Sequence, residues 1–141
     1  MESLPLIILF TAISITFYIL YRNTTSESDD ANIIFKERGG GWVGTTWPWM
    51  IQMTWPFVTI HLYENRLLLN YGGKKVELLY SEITKVDHFY IPIIAEGVRV
   101  HHNNQNQPTL LRFWSFGRSK KIKQIICERM NKPVLTIGSN P

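Results

Sequence analysis

The chain has 141 residues, 45% of them hydrophobic and 13% aromatic, which is room for one domain with a packed core and too apolar for wholesale disorder. Charged residues make up 18%, and the formal net charge is +4. A single cysteine, Cys127, excludes an intrachain disulfide and a zinc site of the CxxC…CxxC kind, and fits a small apolar residue on a helix.

In chain order, Leu4 to Tyr21 (LPLIILFTAISITFYILY) carries no charge and is apolar on every face. Its eighteen residues make about 27 Å of helix, close to the roughly 30 Å of a bilayer's hydrocarbon core, so the segment is expected to be a transmembrane helix. A cleaved signal peptide would want a basic residue before the run and a small-residue cleavage site, and neither is present. Arg22, Lys36 and Arg38 lie C-terminal to the run and no Lys or Arg precedes it. The positive-inside rule then places the C-terminal side in the cytoplasm, giving a single-pass protein of the cell membrane. Asn23 to Asn32 is small, polar and acidic and reads as a tether; Gly39-Gly40-Gly41 reads as a second break. The expected organisation is an anchor over 1–22, a linker over 23–41, a domain over 42–134 and a tail over 135–141. Residues 1–30 carry a net charge of −3 and residues 31–141 a net +7. A basic domain tethered near a membrane will feel anionic lipid, and the tether makes nucleic acid the poorer partner.

The domain reads as short strands followed by one helix. Pro56–Tyr63 alternates, with Val58, Ile60 and Leu62 on one face. Glu64-Asn65 turns the chain into Arg66–Tyr71, and Gly72-Gly73 turns it again into Lys75–Leu79. Ile83–Ile91, Gly97–His102 and Thr109–Trp114 complete the strands, with Val98 and Val100 inward. After Gly117 the period changes: Ile122, Ile125, Ile126 and Met130 form one stripe of a helix over Arg118–Met130, and Pro133 ends it.

Trp55-Pro56-Phe57-Val58 leads into Ile60-x-Leu62-Tyr63-Glu64-Asn65-x-Leu67. Gly73-Lys74-Lys75-x-x-Leu78-x-Tyr80-Ser81-Glu82-Ile83 comes next, and Phe113-Trp114-Ser115-Phe116 precedes the helix. This succession, over about residues 42–132, resembles the bacterial pleckstrin-homology-like (PH-like) and GRAM-like domains. The resemblance implies a mainly β fold: a small antiparallel β-barrel capped by one C-terminal α-helix, here preceded by the transmembrane helix. OB-like and SH3-like barrels remain the alternatives. Tyr80 and Ile83 would frame a corner between strands, with Ser81 or Glu82 tying down free amides.

Two groups of residues are candidate sites. Arg118, Lys120, Lys121 and Lys123 crowd the start of the helix, where basic side chains oppose the helix dipole and free amides converge on an anion; Lys74 and Lys75 sit beside a glycine turn. These six are the candidate anion or lipid contacts, against a reading as a solvated face. Trp42, Trp47, Trp49 and Trp55 are candidate interface aromatics, against a reading as barrel filling. Many lipid-binding members of the resembled family carry basic residues around the loop between their first two strands. Here that loop reads Tyr63-Glu64-Asn65-Arg66, which disfavours phosphoinositide-style recognition. His101 and His102 are neighbours on a strand and face opposite ways, so they cannot grip one metal ion. No nucleophile–base pair, phosphate-binding glycine loop or HExxH is present.

The expectation is a membrane-anchored, non-catalytic PH-like binding module at the cytoplasmic membrane face, without cofactor or metal, recruiting or sensing a protein or anionic lipid. The alternative is a small accessory subunit of a larger membrane assembly.

Overall fold

A computed structural model of the chain describes residues 4–25, 32–45, 50–93 and 95–131, and within the first helix the side chains of 8–19 and 22. Helix α1 (Leu4–Thr25) precedes strands β1 (Ile33–Gly44), β2 (Met50–Tyr63), β3 (Arg66–Tyr71) and β4 (Lys74–Leu79). A 3-10 turn, Tyr80–Glu82, leads to β5 (Ile83–Ile91), β6 (Ala95–His102), β7 (Leu110–Ser115) and helix α2 (Ser119–Met130). The strands form one antiparallel seven-stranded sheet in the order β4-β3-β2-β1-β7-β6-β5. It curls into a β-barrel-like half-barrel whose edges, β4 and β5, do not pair with each other.

The expected fold class needs correction at its N-terminus. Among the described residues, no helix is long and apolar enough to cross a membrane. The described apolar side chains of α1 run from Ile8 to Ile19. They are interrupted by Thr11, Ser14 and Thr16, and the Thr16 hydroxyl donates to the Ala12 carbonyl at 2.9 Å. Part of the apolar surface is directed at the sheet: the Phe17 ring meets Phe57 of β2 edge-on, centroids 4.6 Å apart.

The second correction concerns the linker. Gly39-Gly40-Gly41 is not a break but the middle of β1, which begins at Ile33. Trp114 explains the glycines. A Cβ at Gly39 would strike the Trp114 carbonyl and one at Gly40 would overlap its indole, so only bare backbone lets β7 lie this close. The expectation of a tether rests on polarity alone; the stretch 26–31 lies outside the described residues. With β1 in place, the first two strands are joined by the segment from Thr45 to Trp49, not by Tyr63–Arg66. The turn at Glu64-Asn65 joins β2 to β3, so its acidity says nothing about the loop that matters in the resemblance.

Alternation carries the core. Val58, Ile60 and Leu62 of β2 meet Leu67 and Leu69 of β3, then Val76 and Leu78 of β4, on the concave face. Val98, Leu111 and Phe113 continue it across β6 and β7. Ile122 and Ile126 of α2 are fully buried against these residues, each contributing about 1.5–3 kcal/mol of burial. The opposite face of β2 and β3 is buried as well, so Thr59, His61 and Asn70 are as enclosed as the core. At the corner after β4, the Glu82 carboxylate accepts from the Leu79 amide at 2.9 Å, and the Tyr80 hydroxyl donates to the Tyr63 carbonyl at 3.0 Å. Pro133 lies outside the described residues, as does the expected tail.

Candidate functional site

The basic residues at the start of α2 are each engaged differently. Arg118 occupies the N-cap position without a side-chain cap, and its guanidinium pairs with Glu37 of β1 at 3.1 Å. The Lys121 ammonium lies over the Phe35 ring, 5.0 Å from its centre, a cation–π contact. Lys120 is exposed and Lys123 half-buried. Lys74 and Lys75 are exposed at the start of β4, across from Tyr71 and Asn70. α2 packs on β5, β6 and the 3-10 turn. The charge available to an anion at α2 is thus reduced by Glu37.

Ser119 is fully buried, with its hydroxyl 3.0 Å from His88 Nε2, and Glu96 reaches the same nitrogen at 3.3 Å. A serine, a histidine and a carboxylate together invite a catalytic reading, but a relay needs serine and carboxylate on opposite ring nitrogens. Here both address Nε2, and the serine is shut from solvent. The cluster pins the first turn of α2 to β5 and β6. Among the described residues, no three of His, Cys, Asp and Glu gather as metal ligands.

The tryptophans separate. Trp47 and Trp49 lie outside the described residues. Trp42 is half-buried on the outer face of β1, its ring edge-on to Phe89 at 5.8 Å. Trp55 is exposed, and the β1–β2 register explains why. Gly39 pairs with Val58 while Gly41 pairs with Met53, so the residues between Met53 and Val58 bulge out of the ladder. The bulge carries the Trp55 ring to Phe116, centroids 6.3 Å apart.

Phe116 belongs to a groove at this end of the half-barrel. Tyr90, Ile91, Ile93, Ala95, Glu96 and Phe116 line a shallow open space of about 430 Å³ between the β5–β6 hairpin and the β7–α2 connection. Its apolar side chains are presented to solvent: Tyr90 is 70% exposed, Phe116 58% and Ile93 completely so. Ile93 also has φ +69°. A β-branched residue in the left-handed region is an outlier, at a cost of about 1–2 kcal/mol relative to an ordinary backbone. Strain and full exposure thus coincide at the hairpin tip. The residues of this groove were not singled out by sequence reasoning; the signal available was Tyr90-Ile91-Pro92-Ile93, an apolar run across a turn.

A second feature lies on the outer face. Registers align Asp87, Arg99, Arg112, Trp42 and Gln52 in one row across β5, β6, β7, β1 and β2. Burial, followed by the neighbouring Arg99 charge, lowers the pKa of Arg112. Asp87 is held below the usual carboxylate range, first by the Lys85 hydrogen bond and also by His101, at 2.8 and 2.9 Å. The alternation that puts Val98 and Val100 inward already implies an outward Arg99.

No family model matches the chain, and no curated protein does. Among solved structures, a crystal structure of the C-terminal domain of an unknown protein from Leishmania infantum is similar at a TM-score of 0.48 and 10% identity, over 85% of this chain and 99% of that one.

Proposed function

We propose that the protein is a non-catalytic binding module of the pleckstrin-homology-like kind, and that its ligand is a partner protein received at the apolar groove beside the β5–β6 hairpin. The observation that carries this reading is Ile93, a β-branched residue both strained and fully exposed between Tyr90 and Phe116. Folding gains nothing from such an arrangement, and strained positions of this sort cluster at binding sites. Exposed aromatic and aliphatic side chains around a shallow depression supply the anchors of a protein interface. Antiparallel strands followed by one amphipathic C-terminal helix seated on the core support the family resemblance. A protein is favoured over an anionic lipid because Glu96 lines the groove, and because Arg118 of the basic cluster is committed to Glu37.

The test uses the full chain carrying an affinity tag. Ile93→Asn relieves the backbone, since asparagine tolerates positive φ, and removes the apolar tip. A partner that co-purifies with the wild type should be lost from Ile93→Asn and from Phe116→Ser, and kept by Lys120→Gln. Retention by both groove variants would move the site elsewhere.

A further inference from the structure

The outer face of the sheet carries a charge arrangement that neither folding nor the groove explains. Arg99 of β6 and Arg112 of β7 are directly opposite each other, and like charges so placed destabilise a sheet. Other arginines of the fold have carboxylates: Arg66 with Glu77, Arg118 with Glu37, Arg129 with Glu64. Among the described residues neither Arg99 nor Arg112 has one. Asp87 faces Arg99 across the β5–β6 ladder, but its oxygens are taken by Lys85 and His101. The Nε atoms of both arginines are buried without a hydrogen-bond partner, while the residues as a whole are only half-buried, so a ligand at the surface can approach their forked donors.

The surroundings are aromatic. The Arg112 guanidinium lies 5.8 Å from the centre of the Phe89 ring, and Trp42, beside Arg112 in the row, meets the same ring. Phe89 keeps its position by lying over Gly97, where a Cβ would overlap the ring. The arrangement therefore offers two adjacent cations bordered by a fixed apolar pair.

We propose that Arg99 and Arg112 form a receptor for a carboxylate of an acidic peptide segment, with Trp42 and Phe89 receiving the apolar residue next to it. A bidentate guanidinium–carboxylate contact satisfies donors that are now unpaired and neutralises the repulsion between the two arginines. A singly charged carboxylate suits the site better than a phosphate dianion, because ionised Asp87 borders it. The site lies on the outer face, separate from the Ile93 groove.

Titrating the full chain with a short peptide of alternating Leu and Glu, read by the arginine Nε–H signals and by tryptophan fluorescence, tests this. The glutamate peptide should shift the Arg99 and Arg112 signals, and its glutamine counterpart should not. Arg112→Gln and Arg99→Gln should each weaken binding about tenfold or more, since bonds to charged groups are the strong ones. Neither variant should lower the melting temperature, because each removes a like-charge neighbour. Ile93→Asn should leave the titration unchanged, which separates this site from the groove. Three results would overturn the proposal: no shift of either arginine signal with the glutamate peptide, tighter binding of inorganic phosphate, or a fall in melting temperature in both arginine variants, which would make the pair structural.

Discussion

Individual residues in this protein show where local energy is spent on something other than the fold. Ile93 is the clearest case, holding a left-handed backbone with its side chain in water. Ile93→Asn should raise stability by about 1 kcal/mol, roughly the penalty removed, as measured by denaturant unfolding. A loss of stability would mean that the isoleucine makes contacts that outweigh the strain. Asp87 and Tyr80 set opposite pH limits. The Asp87 pKa is depressed in the fold, so its contribution is present above the ordinary carboxylate range and fades as pH falls through it. Asp87→Asn should therefore flatten the acid side of a melting-temperature profile where the pH falls through and below the ordinary carboxylate range, and leave its slope unchanged near neutral pH. The Tyr80 hydroxyl is pushed up, mainly by burial, so its contribution holds below about pH 10 and declines as pH rises further. Tyr80→Phe should lose the bond to the Tyr63 carbonyl and, with it, that alkaline decline.

At the level of elements, α2 and β1 do most to shape the molecule. Ile126 is fully enclosed where α2 meets the sheet. Ile126→Asp should cost about 3 kcal/mol or more, because a carboxylate would be buried there without a partner, and urea unfolding would show it. Gly40→Val should be comparably harmful through a different cause, since its side chain would displace the Trp114 indole and part β1 from β7. The strands with clean alternation and marked turns were legible in the sequence: Arg66–Tyr71 and Ile83–Ile91 coincide with β3 and β5, and the Ile122/Ile126 stripe is the docked face of α2. β1 was not legible, because three consecutive glycines are a break by propensity and become a strand only when a partner's tryptophan needs their bare surface. The basic cluster on α2 was readable as composition but not as chemistry, since the Arg118–Glu37 pairing joins residues far apart in sequence. The groove escaped notice for the same reason. It gathers the β5–β6 hairpin, Phe116 and the Trp55 bulge, which only the sheet order brings to one end.

For the whole molecule, two surfaces stand apart from the hydrophobic core: the apolar groove at the end of the half-barrel and the arginine row on its outer face. Both carry side chains whose placement weakens the isolated fold: Ile93 at the hairpin tip of the groove, and the facing Arg99 and Arg112 on the strands of the outer face. The most direct measurement is site-specific photo-crosslinking from position 90 of the full chain in the cells that make it, with position 79 on the exposed edge of β4 as a control. The account predicts a discrete protein adduct from position 90, absent from position 79 and lost when Ile93→Asn is introduced. No adduct from position 90, or one that survives Ile93→Asn undiminished, would contradict the claim that this groove receives a protein.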